Sequence, residues 1–210
     1  MSGNVLVIAP HPDDEAIGCG GAICLHVASG DRVTAIFLTS GELGLERLPR
    51  EEAWRIREAE AEAAAQVLGL ADLFFLRRPD WFLGEDVEEA GAALRPIIEQ
   101  EAPQTIYLPH PGEWHPDHKA ALPVLRTALR GMDAPSLLAY EVWTPLSEYD
   151  HTRDITAVMQ RKLSAVRRYR SQIGEFRYDR ATRGLAMYRG AMAAHCLYAE
   201  VFADISLSGG

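Results

Sequence analysis

The stretch Val5-Leu6-Val7-Ile8-Ala9-Pro10-His11-Pro12-Asp13-Asp14-Glu15 decides how this chain folds. Val5 to Ile8 is a short apolar, β-branched run that reads as a buried strand, and Ala16 to Ala28 reads as a helix. His11 and the acid pair therefore fall at the carboxyl end of a strand, where a helix begins. In open α/β sheets that edge is the crevice where ligands bind. Two adjacent carboxylates raise each other's pKa there unless a cation intervenes, and a bound metal would remove that cost. His11 and Asp14 offer an imidazole and a carboxylate three residues apart, a workable first half of a zinc site.

Outward from this stretch the same order recurs. Val33 to Leu38 reads as a second strand, followed by the loop Thr39-Ser40-Gly41-Glu42-Leu43-Gly44 at the same edge as His11. Arg50 to Leu68 is Ala-rich and apolar at helical spacing, with Gly69 as its stop. Arg57 and Glu60 lie one turn apart on it, where an ordinary surface ion pair is the plain expectation. Leu73 to Leu76 reads as a strand ending in Arg77-Arg78-Pro79-Asp80-Trp81, Val87 to Gln100 as a helix, and Thr105 to Leu108 as a fourth strand. Ala120 to Arg130 reads as a helix that tolerates Pro123 only with a kink or a late start. Leu137 to Trp143 reads as a strand, Ile155 to Tyr169 and Arg180 to Ala194 as helices, and Tyr198 to Phe202 as a last short strand. Strands alternating with helices predict an α/β fold with a mainly parallel sheet covered on both faces. Gly18, Gly20 and Gly21 weaken the first helix, and close approach to a strand or a ligand would explain them. A phosphate loop is the competing idea, opposed by the acids at that helix N-terminus.

Composition narrows the classes. A chain of 210 residues, 48% hydrophobic and 24% charged, is long enough for one well-buried domain, expected here to span residues 1–210. The net charge of −9 argues against a nucleic-acid backbone as partner. The acids are concentrated before residue 151, and ten Lys/Arg stand against five Asp/Glu from His151 onward, which reads as a solvated basic face. Cys19, Cys24 and Cys196 have no metal or disulfide spacing, and the first two read as buried small hydrophobes. No apolar run is long enough to span a bilayer, and Met1 to Asn4 leads straight into a strand, so a cytoplasmic location is expected.

The second chemical cluster follows the fourth strand: His110-Pro111-Gly112-Glu113-Trp114-His115-Pro116-Asp117-His118. His115 and His118 are about one helical turn apart with a carboxylate between them. With His11 and Asp14 they can supply two imidazoles and one carboxylate while leaving a metal position open, the catalytic form of a zinc site. Asp13, unspent, could act as base toward metal-activated water. Whichever histidine of the pair is unspent could donate to the oxyanion or leaving amine, with Asp117 holding its tautomer. This is the machinery of metal-assisted hydrolysis, and no nucleophile elbow argues for covalent catalysis.

At these residues the chain resembles the N-acetylglucosaminyl deacetylases of the LmbE/PIG-L-like superfamily. The resemblance runs through Ala9, His11-Pro12-Asp13-Asp14, Gly18 to Gly21, Thr39 to Gly44, Arg57, Glu60, Ala61, Leu68-Gly69, Pro79-Asp80, His115-Pro116-Asp117-His118 and Tyr169-Arg170-Ser171-Gln172. It implies a Rossmann-like fold, zinc held by His11, Asp14 and His118, Asp13 as general base, and His115 as proton donor and oxyanion stabiliser. Fe2+ or another divalent ion is the alternative to Zn2+. Glu42, Arg57 and Asp80 are implied to line the pocket of a small-molecule N-acetylglucosamine conjugate, and self-association into a homo-oligomer is common in the family. The residues before His115, Glu113-Trp114, match no particular subgroup, so the aglycone stays open; Trp114 or Trp81 could stack on a sugar, although a Trp is usually simply packed. Two rival readings are a non-haem Fe(II) oxygenase, which also uses two His and one carboxylate, and a nucleotide-binding module without catalysis.

Overall fold

Asn4–Ala9 forms β1, and its alternate residues serve two different cores: Val5, Val7 and Ala9 face one, Leu6 and Ile8 the other. A strand apolar on both faces needs cover on both, and a parallel sheet between helical layers provides it. The computed structural model describes residues 3–174 and 176–207. In chain order β1 is followed by α1 (Asp14–Ala28), β2 (Arg32–Thr39), α2 (Arg50–Leu68), β3 (Asp72–Arg78), α3 (Val87–Glu101), β4 (Thr105–Pro109) and α4 (Pro116–Ala128). Then come β5 (Ser136–Tyr140), β6 (His151–Asp154), α5 (Met159–Val166), α6 (Arg170–Ile173), α7 (Tyr178–Arg189) and β7 (Ala199–Asp204). Among the described residues no helix is long and apolar enough to cross a membrane.

The strands form one sheet of order β3-β2-β1-β4-β5-β7-β6. β1 to β5 are parallel, as the alternation of elements predicts, while β7 is antiparallel to β5 and β6 antiparallel to β7. Apolar patterning does not signal β6, because His151-Thr152-Arg153-Asp154 is an edge strand with three exposed residues. Residues of α1, α2 and α5 cover the face of Val5 and Val7, and α3 and α4 cover the face of Leu6 and Ile8. Chain order reverses between β1 and β4, and the crevice at their carboxyl ends lies between the segments bearing His11 and His115.

The glycines of α1 answer to close approach. Gly18 lies against Tyr140 of β5, where an added Cβ would sit 2.2 Å from Cδ2. The helix breaks its regular angles at Cys19 (φ −134°, ψ 21°), and the N–H groups of Gly21 and Ala22 donate instead to Glu200 of β7, both at 2.7 Å. Glu200 in turn meets the buried Lys162 ammonium at 2.5 Å. Cys19 and Cys24 are buried in the same core.

Several boundaries differ from the sequence expectation. α4 begins at Pro116 rather than near Ala120, because proline is favoured at a first helical position and His115 caps it. β5 stops at Tyr140 rather than Trp143, since the next N–H groups turn to the Glu113 carboxylate. The helix expected over 155–169 is the shorter α5, and the last helix ends at Arg189 in a π-type turn, Gly190–Ala194.

Candidate metal centre and active site

Three side-chain atoms from the two clusters form a nearly equilateral triangle. His11 Nδ1 is 3.3 Å from Asp14 Oδ2, His118 Nε2 is 3.2 Å from the same oxygen, and the two nitrogens are 3.3 Å apart. Ligand atoms bound at about 2.0–2.1 Å around a tetrahedral ion would be separated by about 3.3 Å, so this donor set fits a small divalent metal. All three residues are buried. Asp14 also accepts the backbone N–H of His11 at 2.9 Å, closing the tight turn between β1 and α1. His118 arrives from the first turn of α4, across the crevice.

The other ring nitrogen of His11 explains its tautomer. Nε2 lies 3.1 Å from both Asp80 Oδ1 and Asp117 Oδ2, so its hydrogen is shared with carboxylates and the Nδ1 lone pair is left for the triangle. His11, Asp80 and Asp117 themselves cluster within 4.8 Å, as do His11, His115 and His118. Asp80 and Asp117 stand on the Nε2 side, however, and already accept backbone N–H groups from Leu43, Trp81 and Leu83, so they support His11. His118 Nδ1 is buried with no hydrogen-bond partner among the described residues; Glu113 Oε2 is 3.8 Å away.

Electrostatics match a site built for a cation. Burial opposes charge on His118, but the Asp14 carboxylate, aided by Glu113, overcomes it and lifts its pKa to about 9. His11 is raised against burial by Asp117, Asp14 and Asp80. Burial would raise Asp14, yet the two imidazoles hold it well below the usual carboxylate range.

Asp13 and His115 flank the triangle without belonging to it. Asp13 has φ 128°, and its carboxylate turns toward Arg57, whose Nη2 is 3.6 Å from Oδ2 and donates to the Pro12 carbonyl at 2.6 Å. Burial pushes Asp13 up to about 7 against the pull of Arg57. His115 Nδ1 accepts the backbone N–H of Asp117 at 3.2 Å, which puts the proton of the neutral ring on Nε2. Burial and the charges on His11 and His118 push His115 down to about 4, so at neutral pH it is an N–H donor rather than an imidazolium. The expectation that the Asp117 carboxylate holds the tautomer of His115 is not met: its backbone does so, while the carboxylate, at the start of α4, reaches His11.

The expected ion pair between Arg57 and Glu60 does not form. Arg57 is buried beside Gly41, where a Cβ would approach its Nη2 to 2.9 Å at a φ of +62°, and Glu60 accepts the N–H and hydroxyl of Ser171 at 2.8 and 2.6 Å. Glu42 binds Arg50 at 2.8 Å through Oε1 and leaves Oε2 buried, without a hydrogen-bond partner among the described residues. Trp81 and Trp114 are exposed beside His115 instead of packed. Sequence reasoning missed Glu113 and Glu15. Glu113 is fully buried and takes the N–H groups of Val142, Trp143 and Thr144; its only signal was an acid inside the second histidine cluster. Glu15 accepts the Tyr169 hydroxyl at 2.5 Å and the Asp13 N–H at 3.1 Å, and burial raises it to about 8.

Residues 6–129, more than half of the chain, match the family described as PIG-L: GlcNAc-PI de-N-acetylase. The diacetylchitobiose deacetylase of Thermococcus kodakarensis is 33% identical to this chain over 223 aligned positions, covering 93% of the chain and 80% of that protein. The probable N-acetyl-alpha-D-glucosaminyl L-malate deacetylase 2 of Bacillus cereus is 33% identical, covering 82% of this chain and 84% of its own length. Among solved structures, the N,N'-diacetylchitobiose deacetylase from Pyrococcus horikoshii, complexed with its inhibitor MPG, is similar with a TM-score of 0.84 and 27% identity, over 97% of this chain and 84% of that one. The matched residues include both halves of the triangle, Asp13 and His115, and the chain belongs to the PIG-L family.

Proposed function

We propose that this chain is a metal-dependent N-deacetylase that hydrolyses the acetamide of an N-acetylglucosamine conjugate, releasing acetate and a free amine. The observation that carries the reading is the His11–Asp14–His118 triangle flanked by an unligated Asp13 and a neutral, Nε2-protonated His115. The names of the relatives from Thermococcus and Bacillus, both deacetylases of such conjugates, support the substrate class. His11, Asp14 and His118 would hold the ion, with zinc favoured by two imidazoles and one carboxylate. When bound it supplies Lewis-acid activation of water and of the amide carbonyl.

The remaining work falls to the chain's own groups. Asp13, raised toward neutrality by burial, takes a proton from the attacking water. Arg57, clamped on the Pro12 carbonyl, positions that carboxylate. His115 donates its Nε2–H to the oxygen of the acetamide as negative charge develops there. Asp13 then returns the proton to the departing nitrogen as the C–N bond breaks. Asp80 and Asp117 keep His11 in the tautomer that presents Nδ1. Glu42, with one buried oxygen free, is assigned to the sugar side of the pocket. An oxygenase built on the same two histidines and carboxylate would leave Asp13 and His115 without a task.

Asp13→Asn is the direct test. It should retain the metal by elemental analysis and lose about 10²–10⁴-fold in acetate release from N-acetylglucosamine conjugates. Turnover at the parent rate would overturn the assignment of the base.

A further inference from the structure

Contiguous exposed aromatic surface on a globular protein marks a binding face, whereas a single exposed ring does not. Beside His115 the exposed rings are contiguous: Trp81 is 45% exposed, Trp114 52%, Trp143 39% and Phe176 49%. The centroid of Trp81 lies 4.6 Å from that of His115 and Trp114 lies 5.5 Å from it; Trp143 follows 5.7 Å beyond Trp114, and Tyr178 is 5.4 Å from Trp143. The backbone beneath this line is fixed, since Glu113 binds the N–H groups of Val142, Trp143 and Thr144, and Trp114 N donates to the Thr144 hydroxyl at 3.2 Å.

Trp143 and Tyr178 also line a cavity of about 250 Å³ between α1, α7 and the end of β5, with Val142, Pro145 and Leu185. Its charges are already matched. Lys162 is tied to Glu200 at 2.5 Å, and Glu141 to Arg189, so among the described residues the lining offers no spare cation to a carboxylate. A pyranose ring presents a face of C–H groups and a rim of hydroxyls, and aromatic faces are the protein surface that complements it.

Resting on the deacetylase reading, we propose that Trp114, Trp143 and Tyr178, with the cavity that Trp143 and Tyr178 border, form a subsite for an uncharged second sugar ring of the substrate. The enzyme then favours saccharide aglycones over carboxylate-bearing ones. The test compares kcat/KM for N-acetylglucosamine, a neutral N-acetylglucosaminyl disaccharide and an N-acetylglucosaminyl malate. The disaccharide should lead each of the others by about tenfold, the effect of one aromatic stacking contact with its buried area. Trp143→Ala should reduce the disaccharide-to-monosaccharide ratio about tenfold through KM, and Trp143→Phe should restore most of it. A preference for the malate conjugate, or a ratio unmoved by Trp143→Ala, overturns the subsite. If none of the three releases acetate, the deacetylase reading itself fails. Calorimetric binding of disaccharide against malate conjugate to the chelator-treated protein then still decides the subsite, by which of the two binds tighter.

Discussion

Asp13 and Asp14 are chemically identical neighbours, and one backbone angle separates their surroundings. At φ 128° Asp13 occupies a region that costs a non-glycine residue on the order of 1–3 kcal/mol, and its carboxylate meets Arg57 while that of Asp14 meets His11 and His118. Asp13→Gly should therefore raise stability by about 1 kcal/mol in thermal unfolding while abolishing deacetylation; a lower melting temperature would show that the angle is not strained. Asp80→Asn and Asp117→Asn address the support of His11, and each should weaken metal affinity by about 10–100-fold, measured by competition with a chelating dye. Protons would compete with a metal for the triangle. His118, held up to about 9 in the metal-free protein, contributes stability that is complete below its unfolded value of about 6.5 and lost as pH rises through 9. The melting temperature of chelator-treated protein should fall between pH 7 and 9.5, and metal affinity should climb over the same range as imidazole protons are released. A flat melting profile would mean that His118 is not protonated beside Asp14.

At the scale of elements, the first turns of two helices carry the site. α1 begins at Asp14 and α4 at Pro116, capped by His115, so Asp13, Asp14 and His115 all sit where backbone geometry is tightly set. α1 is also pressed against β5. Gly18→Ala would drive a methyl to 2.2 Å from the Tyr140 ring and should cost about 1–3 kcal/mol in denaturant unfolding, with metal affinity falling because Asp14 lies one turn away. Retention of both would show that Tyr140 can move aside. The strand-to-helix junctions were legible because apolar runs end abruptly in polar, proline-bearing loops. The edge strand β6 was not, because a strand exposed on both sides has no apolar alternation to read.

Over the whole molecule, the reversal of strand order between β1 and β4 brings His11 and His118, 107 positions apart in the chain, to within 3.3 Å. A metal bound only by the folded state stabilises it by mass action, about 4 kcal/mol at a free concentration 1,000 times its Kd. Adding zinc to chelator-treated protein should raise the melting temperature correspondingly, and His118→Ala should abolish the rise. By itself the amino-acid sequence determined the α/β class, the mainly parallel sheet and both histidine clusters, because hydrophobic period and local motif are properties of neighbouring residues. Only the tertiary structure decided that Asp117 supports His11 rather than His115, that Arg57 turns from Glu60 to Pro12 and Asp13, and that Glu113 anchors the Trp143 loop. Each of those choices depends on which partner a buried polar group meets across the crevice, and linear spacing carries no record of that meeting.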